Sequence, residues 1–147
     1  MRTHQLPITV YLEDTDAQGI VYHANYLKYC ERGRTEFLRA NGYTLDTMQA
    51  QGVRFVVFEM KLRFHHPAHL LEDLDVFTEA TRNSEYRLTF KQAVHQRGCQ
   101  KPVFTADTVV VTIDSEHKLC PLPEQLLEEQ RESIDFRRSP SERMGQP

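Results

Sequence analysis

Near residue 54 of this chain the spacing of apolar residues changes from a helical repeat to strict alternation. Between residues 24 and 41, apolar and small side chains recur on one face at about 100° per residue, which predicts one long amphipathic helix. That face carries Tyr26, Tyr29, Cys30, Gly33, Phe37 and Ala40. From Arg54 onward the repeat becomes two, with Phe58, Met60, Leu62 and Phe64 on one side, and this pattern is typical of a half-buried strand.

Other segments predict strands because they are rich in β-branched and apolar residues or alternate with polar ones. They span residues 6–14, 74–82, 85–96 and 103–114, and the alternating segment that begins at residue 54 ends at Pro67. A turn around Gly98 joins the last two strands. One helix followed by consecutive antiparallel strands indicates an α+β fold in two layers. Because one helix leaves part of the sheet's apolar face uncovered, we expect a homo-oligomer.

The ends and flanks of the helix also carry local signals. Asn25 is expected to cap its start and Gly42 to stop it. Gly33 on the buried face predicts a close approach by another backbone. Glu31 and Arg34 lie three residues apart beside the apolar face, so we expect them to pair.

Residues 1–136 are predicted to form a single domain, in which residues 123–136 could form a short last helix. Residues 137–147 are polar, contain two prolines and are expected to be disordered.

Composition excludes several classes of protein. The formal net charge of −3 argues against a general nucleic-acid binder, which needs a basic excess to neutralise phosphates. Neither a signal peptide nor an apolar run of the ~18 residues of a membrane span is found, so we expect a cytoplasmic protein without a transmembrane segment. Cys30, Cys99 and Cys120 form no CxxC pair, which disfavours a disulfide framework or a zinc site.

The segment DTDAQGIVYHANY places Asp14, Asp16, Gly19 and His23 just before the predicted helix. A helix start offers free backbone N–H groups and a partial positive charge, which can hold a substrate oxygen that gains negative charge. A carboxylate beside it could act on water or on the substrate. The motif alone is equally compatible with a second interpretation, in which Asp16 is an ordinary loop residue that accepts hydrogen bonds from the N–H groups of a turn.

The longer segment YLEDTDAQGIVYHANYLKYCERGRTEFL resembles the hotdog-fold acyl-CoA thioesterases, within the 4-hydroxybenzoyl-CoA thioesterase family and its Tol–Pal-associated acyl-CoA thioesterase branch. The matching positions are Asp16, Gly19, the pair Tyr22-His23 and the pair Asn25-Tyr26. The resemblance extends over residues 6–127. It implies a hotdog fold, in which a curved antiparallel sheet of about five strands wraps around one long central helix.

The resemblance also implies an activity, the hydrolysis of an acyl-CoA thioester to a free acid and CoA. Asp16 would be the catalytic carboxylate, as a nucleophile or as a general base for water. His23 would polarise the thioester carbonyl through its backbone N–H, and its ring could position substrate or water. Gly19, Val21 and Tyr22 would contribute to the oxyanion and substrate site.

The same resemblance implies an active site between protomers, so a dimer or a tetramer is expected. It implies no metal and no tightly bound cofactor. Related sequences often carry a tyrosine where Leu12 stands, so any contribution of that hydroxyl is absent here.

The CoA phosphates would need surface cations, and Arg82, Arg87 and Lys91 near one hairpin are candidates. An acyl-carrier protein is an alternative carrier of the acyl group. The histidines His65, His66 and His69 do not favour a metal site, because adjacent strand residues point to opposite faces.

Two other functions stay open. One is a hotdog hydratase or dehydratase that acts on an enoyl thioester. The other is a module that binds acyl-CoA or an acyl carrier without catalysis.

Overall fold

The computed structural model describes residues 3–123 and 126, and its centre is a five-stranded antiparallel sheet with one long helix on one face. The elements in chain order are β1 (His4–Thr9), α1 (Asn25–Ala40), α2 (Leu45–Ala50), β2 (Arg54–Phe64), β3 (Asp73–Arg82), β4 (Arg87–Gln96) and β5 (Pro102–Ile113). The strands lie in the order β1-β3-β4-β5-β2, so β1 and β2 form the two edges. The predicted α+β arrangement of one helix and about five antiparallel strands is confirmed.

The helix α1 lies over β1, β3 and β4. Its first half packs with Leu74, Val76 and Val94 in one core cluster, and its second half packs with Leu88 and Phe90 in another. Ala40, which was expected on the buried face, is exposed because it is the last residue of the helix.

The predicted close approach at Gly33 is confirmed. A Cβ atom at this position would lie 2.8 Å from Val76 Cγ1 and 2.9 Å from Gln92 Nε2 and from Thr78 Oγ1. These distances are shorter than ordinary van der Waals contacts. Only glycine therefore lets the middle of α1 lie this close to β3 and β4.

The Arg34 side chain is only 8% exposed, yet its charge is compensated. Its Nη1 donates to Gln92 Oε1 at 3.1 Å, and its Nη2 donates to the carboxylate of Glu31. Gln92 Nε2 donates to the Cys30 carbonyl oxygen and to Thr78 Oγ1, both at 2.9 Å. The predicted pairing of Glu31 with Arg34 is confirmed, and it belongs to a buried polar network between α1 and the sheet.

Two predictions at the start of the chain were wrong. The first strand ends at Thr9 instead of residue 14, and Leu12–Asp14 forms a 3-10 turn that Asp14 Oδ2 closes by accepting from the Tyr11 amide at 2.9 Å. Asn25 does not cap α1, because Ala24 occupies that position and makes no side-chain bond to the helix. The Asn25 side chain instead donates to the carbonyl oxygen of Asp14 at 2.8 Å.

The end of α1 follows the prediction more closely. Gly42 has a φ of +84°, in the left-handed region that favours glycine, and the Tyr43 amide donates back to Leu38 O at 2.8 Å. The short helix α2 that follows was not predicted. Residues 123–136, predicted as a helix, lie outside the described residues except for 123 and 126, as does the whole tail of residues 137–147.

Along β2, the apolar side chains from Met60 to Phe64 share one face of the sheet as predicted, but Phe58 does not follow this alternation. The pairing with β5 shifts register between Val57 and Glu59, so Phe58 forms a bulge. Its ring is 60% exposed and lies 4.7 Å from the guanidinium carbon of Arg87.

Met60, Leu62 and Phe64 alternate onto the face of the sheet that carries α1, but α1 lies over other strands. Met60, Leu62 and Phe64 therefore form an apolar strip along the edge strand β2 that α1 does not cover, and Phe64 is 52% exposed. None of the helices described in this structure has the length and apolar character needed to cross a membrane.

Candidate active site

A small hairpin before α1 carries Asp16. Thr15 and Val21 form an antiparallel bridge at its base, and the Asp16 amide donates to Ile20 O at 2.9 Å. At its tip, the Gly19 amide donates to Asp16 O at 3.0 Å, and Gly19 has a φ of +77°. A side chain at residue 19 would be strained at this φ, so glycine here lets the chain turn and bring Asp16 close to the helix start.

The Asp16 carboxylate is half-buried and fixed through one oxygen. Oδ1 accepts from the Gln18 amide at 2.8 Å, as in an Asx turn. Oδ2 accepts no hydrogen bond from any residue that the structure describes. The turn function and a chemical function are therefore compatible, because the bond that orients the carboxylate leaves its second oxygen free.

The backbone amides at the start of α1 differ in their partners. The Val21 amide donates to Ala68 O and the Tyr22 amide donates to Asp14 O, both at 2.9 Å. Within residues 3–123 and 126, the amide of His23 has no acceptor. Val21 and Tyr22, expected at the oxyanion site, thus have their N–H groups engaged inside the chain, and the first amide after them without an acceptor among the described residues is that of His23.

Asp14 joins the 3-10 turn to α1. Its backbone oxygen accepts from the Tyr22 amide and from Asn25 Nδ2, while its carboxylate accepts from the Tyr11 amide. The buried phenol of Tyr29 lies close by, and the pKa of Tyr29 is raised first by burial and then by the neighbouring Asp14 carboxylate. These contacts give Asp14 a structural role.

The loop between β2 and β3 holds the hairpin in place. Ile20 forms an isolated antiparallel bridge with His69, next to the bond from Val21 to the buried Ala68. His69 Nδ1 lies 3.1 Å from Glu72 Oε1, whereas His65 Nε2 lies 3.0 Å from Thr105 Oγ1. These histidines have different partners, and the described part of the chain contains no group of three His, Cys, Asp or Glu side chains that could hold a metal ion.

Two aromatic rings lie beside the exposed side chain of His23. Its ring centroid lies 4.4 Å from that of Tyr22 and 6.3 Å from that of Phe64. The sequence did not single out Phe64 as a site residue, because only the pairing of Phe64 with Phe104 brings the end of β2 to the start of α1. Its apolar alternation predicted only that it would be buried.

The three candidate cations for CoA phosphates do not form one cluster. Arg87 and Lys91 lie on the face of β4 away from α1, whereas Arg82 lies opposite Leu88 and so on the α1 side. Arg82 Nε donates to Ser84 O at 3.0 Å, and Arg87 packs over Phe58. Lys91 pairs in register with the two acidic residues Glu79 and Asp107, which reduces its attraction for a phosphate.

Cys30 lies on the buried face of α1 and is no candidate nucleophile. Burial raises the pKa of its thiol to about 12, so the reactive thiolate is scarce at neutral pH.

Comparison with known proteins assigns the chain to a family. Residues 10–130 match the family described as the thioesterase-like superfamily. The chain belongs to this superfamily. The hotdog fold expected from the sequence is confirmed by this membership and by the observed sheet and helix.

Sequence relatives of this superfamily member include enzymes of bacterial origin. The chain is 42% identical over 88 residues to the acyl-CoA thioester hydrolase YbgC of Escherichia coli O6:H1, a match that covers 60% of this chain and 66% of the relative. It is 47% identical over 70 residues to the acyl-CoA thioesterase YbgC of Helicobacter pylori strain 26695, covering 48% and 50%. The chain therefore spans less than two thirds of the length of these curated relatives.

Among solved structures, Slr0204 of Synechocystis, a 1,4-dihydroxy-2-naphthoyl-CoA thioesterase, superposes with a TM-score of 0.80 at 26% sequence identity. That superposition covers 86% of this chain and 93% of the other.

Proposed function

We propose that this protein is an acyl-CoA thioesterase that hydrolyses a thioester to a free acid and CoA. One observation carries the proposal: among the described residues, nothing donates to the second carboxylate oxygen of Asp16, and the hairpin that carries Asp16 leads directly to the His23 amide, which has no acceptor. A nucleophilic or basic oxygen and an oxyanion donor are the two parts that thioester hydrolysis needs. The names of the YbgC relatives support the same activity.

In this mechanism the His23 amide donates to the thioester carbonyl oxygen, where negative charge develops during attack. The positive end of the α1 dipole stabilises that charge further. A preorganised donor of this kind contributes ~10²–10³ to kcat, and a general base contributes ~10²–10⁴. When the C–S bond breaks, the sulfur leaves as the CoA thiolate and takes a proton, and water supplies the OH group of the acid.

Asp16 could act by either of two routes. As a general base, its Oδ2 would take a proton from the attacking water. As a nucleophile, Oδ2 would form a mixed anhydride with the acyl group, which water then cleaves. Label in the Asp16 carboxylate after a single turnover in H₂¹⁸O would establish the nucleophilic route, because only attack of water on the Asp16 carbonyl of the anhydride can place it there.

We place the chain in the Tol–Pal-associated acyl-CoA thioesterase branch of the 4-hydroxybenzoyl-CoA thioesterase family, on the motif from Asp16 to Tyr26. Acyl-CoA is the proposed substrate, with an acyl-carrier protein as the alternative carrier, and the proposed location is the cytoplasm, where acyl-CoA is made and used. Arg82, Arg87 and Lys91 stay candidates for phosphate contacts, although Lys91 is the least favourable of them.

We also propose that a second copy of the chain covers the apolar strip on β2. This strand is an edge with one unpaired row of backbone groups, and Leu62 and Phe64 are exposed beside it. A dimer buries both the edge and the strip, and it brings a second protomer close to the helix start. A tetramer would contain two such dimers.

The test of the proposed activity is thiol release from a panel of short, long and aryl acyl-CoAs. Asp16→Asn keeps the shape of the side chain but removes its charge, so we expect kcat to fall ~10²-fold or more with little change in substrate affinity. His23→Ala keeps the backbone N–H and should cause a smaller loss. Near wild-type turnover by Asp16→Asn would overturn the mechanism, and loss of an enoyl double bond without thiol release would identify a hydratase.

A further inference from the structure

A cavity of ≈ 530 Å³ lies on the face of the sheet that points away from α1. It borders β1, β3 and β4, and Asp75, Phe77, His95 and the turn of residues 96–100 line it. Its volume is in the range of small-molecule binding sites. Because β1 is the sheet edge opposite to β2, the dimer proposed above leaves this cavity open.

Asp75 contributes a buried carboxylate to this cavity. Its side chain is 6% exposed, and none of the described residues donates a hydrogen bond to its carboxylate. Arg97 Nε lies 3.5 Å from Asp75 Oδ2, which makes an ion pair but is too long for a good hydrogen bond. Buried polar side-chain atoms in proteins usually have a hydrogen-bond partner, so this carboxylate lacks a donor.

The charges around Asp75 indicate that the missing donor is a cation. Arg97 Nη1 also lies 3.6 Å from Asp73 Oδ2, so one guanidinium is shared between two carboxylates and one negative charge stays uncompensated. The Arg97 amide donates to Asp73 O at 2.9 Å, which fixes this arginine beside both acids. A carboxylate can only accept, so a ligand that satisfies Asp75 must bring N–H or O–H groups.

Two rings lie beside the carboxylate. Phe77 comes two residues after Asp75 on β3 and is therefore on the same face, and His95 pairs with Asp75 in register. The ring centroids of Phe77 and His95 lie 5.3 Å apart, edge to face. The faces of aromatic rings attract organic cations. A carboxylate next to such rings is suited to an ammonium group that is attached to an apolar body.

We propose that this cavity is a binding site for a small organic amine, with Asp75 as the counter-ion of its ammonium group. The ammonium donates to the Asp75 carboxylate and compensates the excess negative charge, while the apolar body of the amine packs against Phe77. Arg97 is the internal competitor of the ligand, because it pairs with the same carboxylate oxygen. The site does not involve Asp16 or His23, so the proposal does not depend on the thioesterase function.

The experiment is a ligand-observed NMR titration of the full chain with benzylamine, which is protonated at pH 7, at low ionic strength. Benzyl alcohol is the neutral probe of similar shape. We expect benzylamine to bind with a millimolar or lower Kd and benzyl alcohol to bind at least tenfold more weakly. Asp75→Asn keeps the shape of the side chain but removes its charge, so it should weaken benzylamine binding about tenfold or more.

Asp107 provides the matched control on the same face of the sheet. It is exposed and pairs in register with Lys91 and Lys61, away from the residues that line the cavity. Asp107→Asn removes the same charge from the protein and should leave the Kd for benzylamine unchanged. An equal loss of affinity in Asp75→Asn and Asp107→Asn would show only a general attraction to the net charge, and it would overturn the proposal.

Two further variants test the site even if Asp75→Asn does not fold, as judged by thermal unfolding. Arg97→Gln removes the internal competitor and should tighten benzylamine binding by up to about fivefold, the value of one solvent-accessible ion pair. Phe77→Leu keeps apolar bulk without the ring and should weaken binding about two- to fivefold. Weaker binding by Arg97→Gln, unchanged binding by Phe77→Leu, or no binding by the wild type at millimolar benzylamine would overturn the proposal.

Discussion

The amide of Tyr22 donates to the carbonyl oxygen of Asp14 at 2.9 Å, across the hairpin that carries Asp16. This bond fixes the chain just before α1 and leaves the next amide, that of His23, without an acceptor among the described residues. Asn25 Nδ2 donates to the same carbonyl oxygen at 2.8 Å. One backbone oxygen thus sets the position of the hairpin relative to the helix, and the proposed chemistry depends on that position.

Removal of the Asn25 bond should loosen this arrangement. In Asn25→Ala we expect kcat to fall about tenfold or more, with a smaller change in KM, because small displacements of reacting groups are costly in rate. The kinetics are measured by thiol release on the best substrate of the wild type.

Asn41 provides a matched control at the other end of α1. Its Nδ2 donates to Phe37 O, also at 2.8 Å and also part-buried. Both alanine variants should lose ~1 kcal/mol of unfolding free energy, the usual value of one hydrogen bond. Only Asn25→Ala should lose rate, and equal kinetic losses in the two variants would contradict a positioning role for Asn25.

Gly33→Ala should destabilise the fold although alanine is the better helix former. The new Cβ would meet Val76 Cγ1 and the polar atoms of Gln92 and Thr78 at 2.8–2.9 Å. Overpacking costs ~1–3 kcal/mol, against a gain in helix propensity of up to ~1 kcal/mol. Urea unfolding should therefore show a lower free energy of unfolding, whereas the exposed Lys28→Ala should change it by less than ~0.5 kcal/mol. A stabilised Gly33→Ala would mean that α1 can move away from the sheet.

The two ion pairs on α1 should differ in strength. Glu31–Arg34 and Glu36–Arg39 have the same i,i+3 spacing, but the side chain of Arg34 is 8% exposed and that of Arg39 is 60% exposed. A double-mutant cycle on unfolding should give Glu36–Arg39 a coupling of ~0.3–0.5 kcal/mol and Glu31–Arg34 a larger value. Equal couplings would show that solvent screens the first pair through Glu31, which is 60% exposed.

The uncovered strip on β2 predicts an assembly of more than one copy. Light scattering at micromolar concentration should give at least twice the chain mass of 17.2 kDa. Leu62→Lys places a charge in the strip and should lower the measured mass, while Lys61→Glu, its exposed neighbour on the other face, should not. An active monomer would reject the proposal that a second copy completes the site.

Much of the fold follows from local spacing. The repeat from Tyr26 to Phe37 determined the buried face of α1, because a residue's angle around a helix depends only on its position. Gly42 marked the helix end, and the order of the elements predicted the class of fold. The motif around Asp16 and Gly19 indicated the region of the site for the same reason, since a turn and a helix start are local structures.

Only the tertiary structure decided which groups at the site are free. Val21 donates to Ala68, far along the chain, so no local pattern could show that its amide is engaged. The bulge at Phe58 and the arrival of Phe64 beside His23 depend on the register between β2 and β5. Alternation along a strand predicts only which of two faces a side chain is on. The pairing of the strands determines its neighbours, and those neighbours determine which backbone and aromatic groups remain accessible to a substrate.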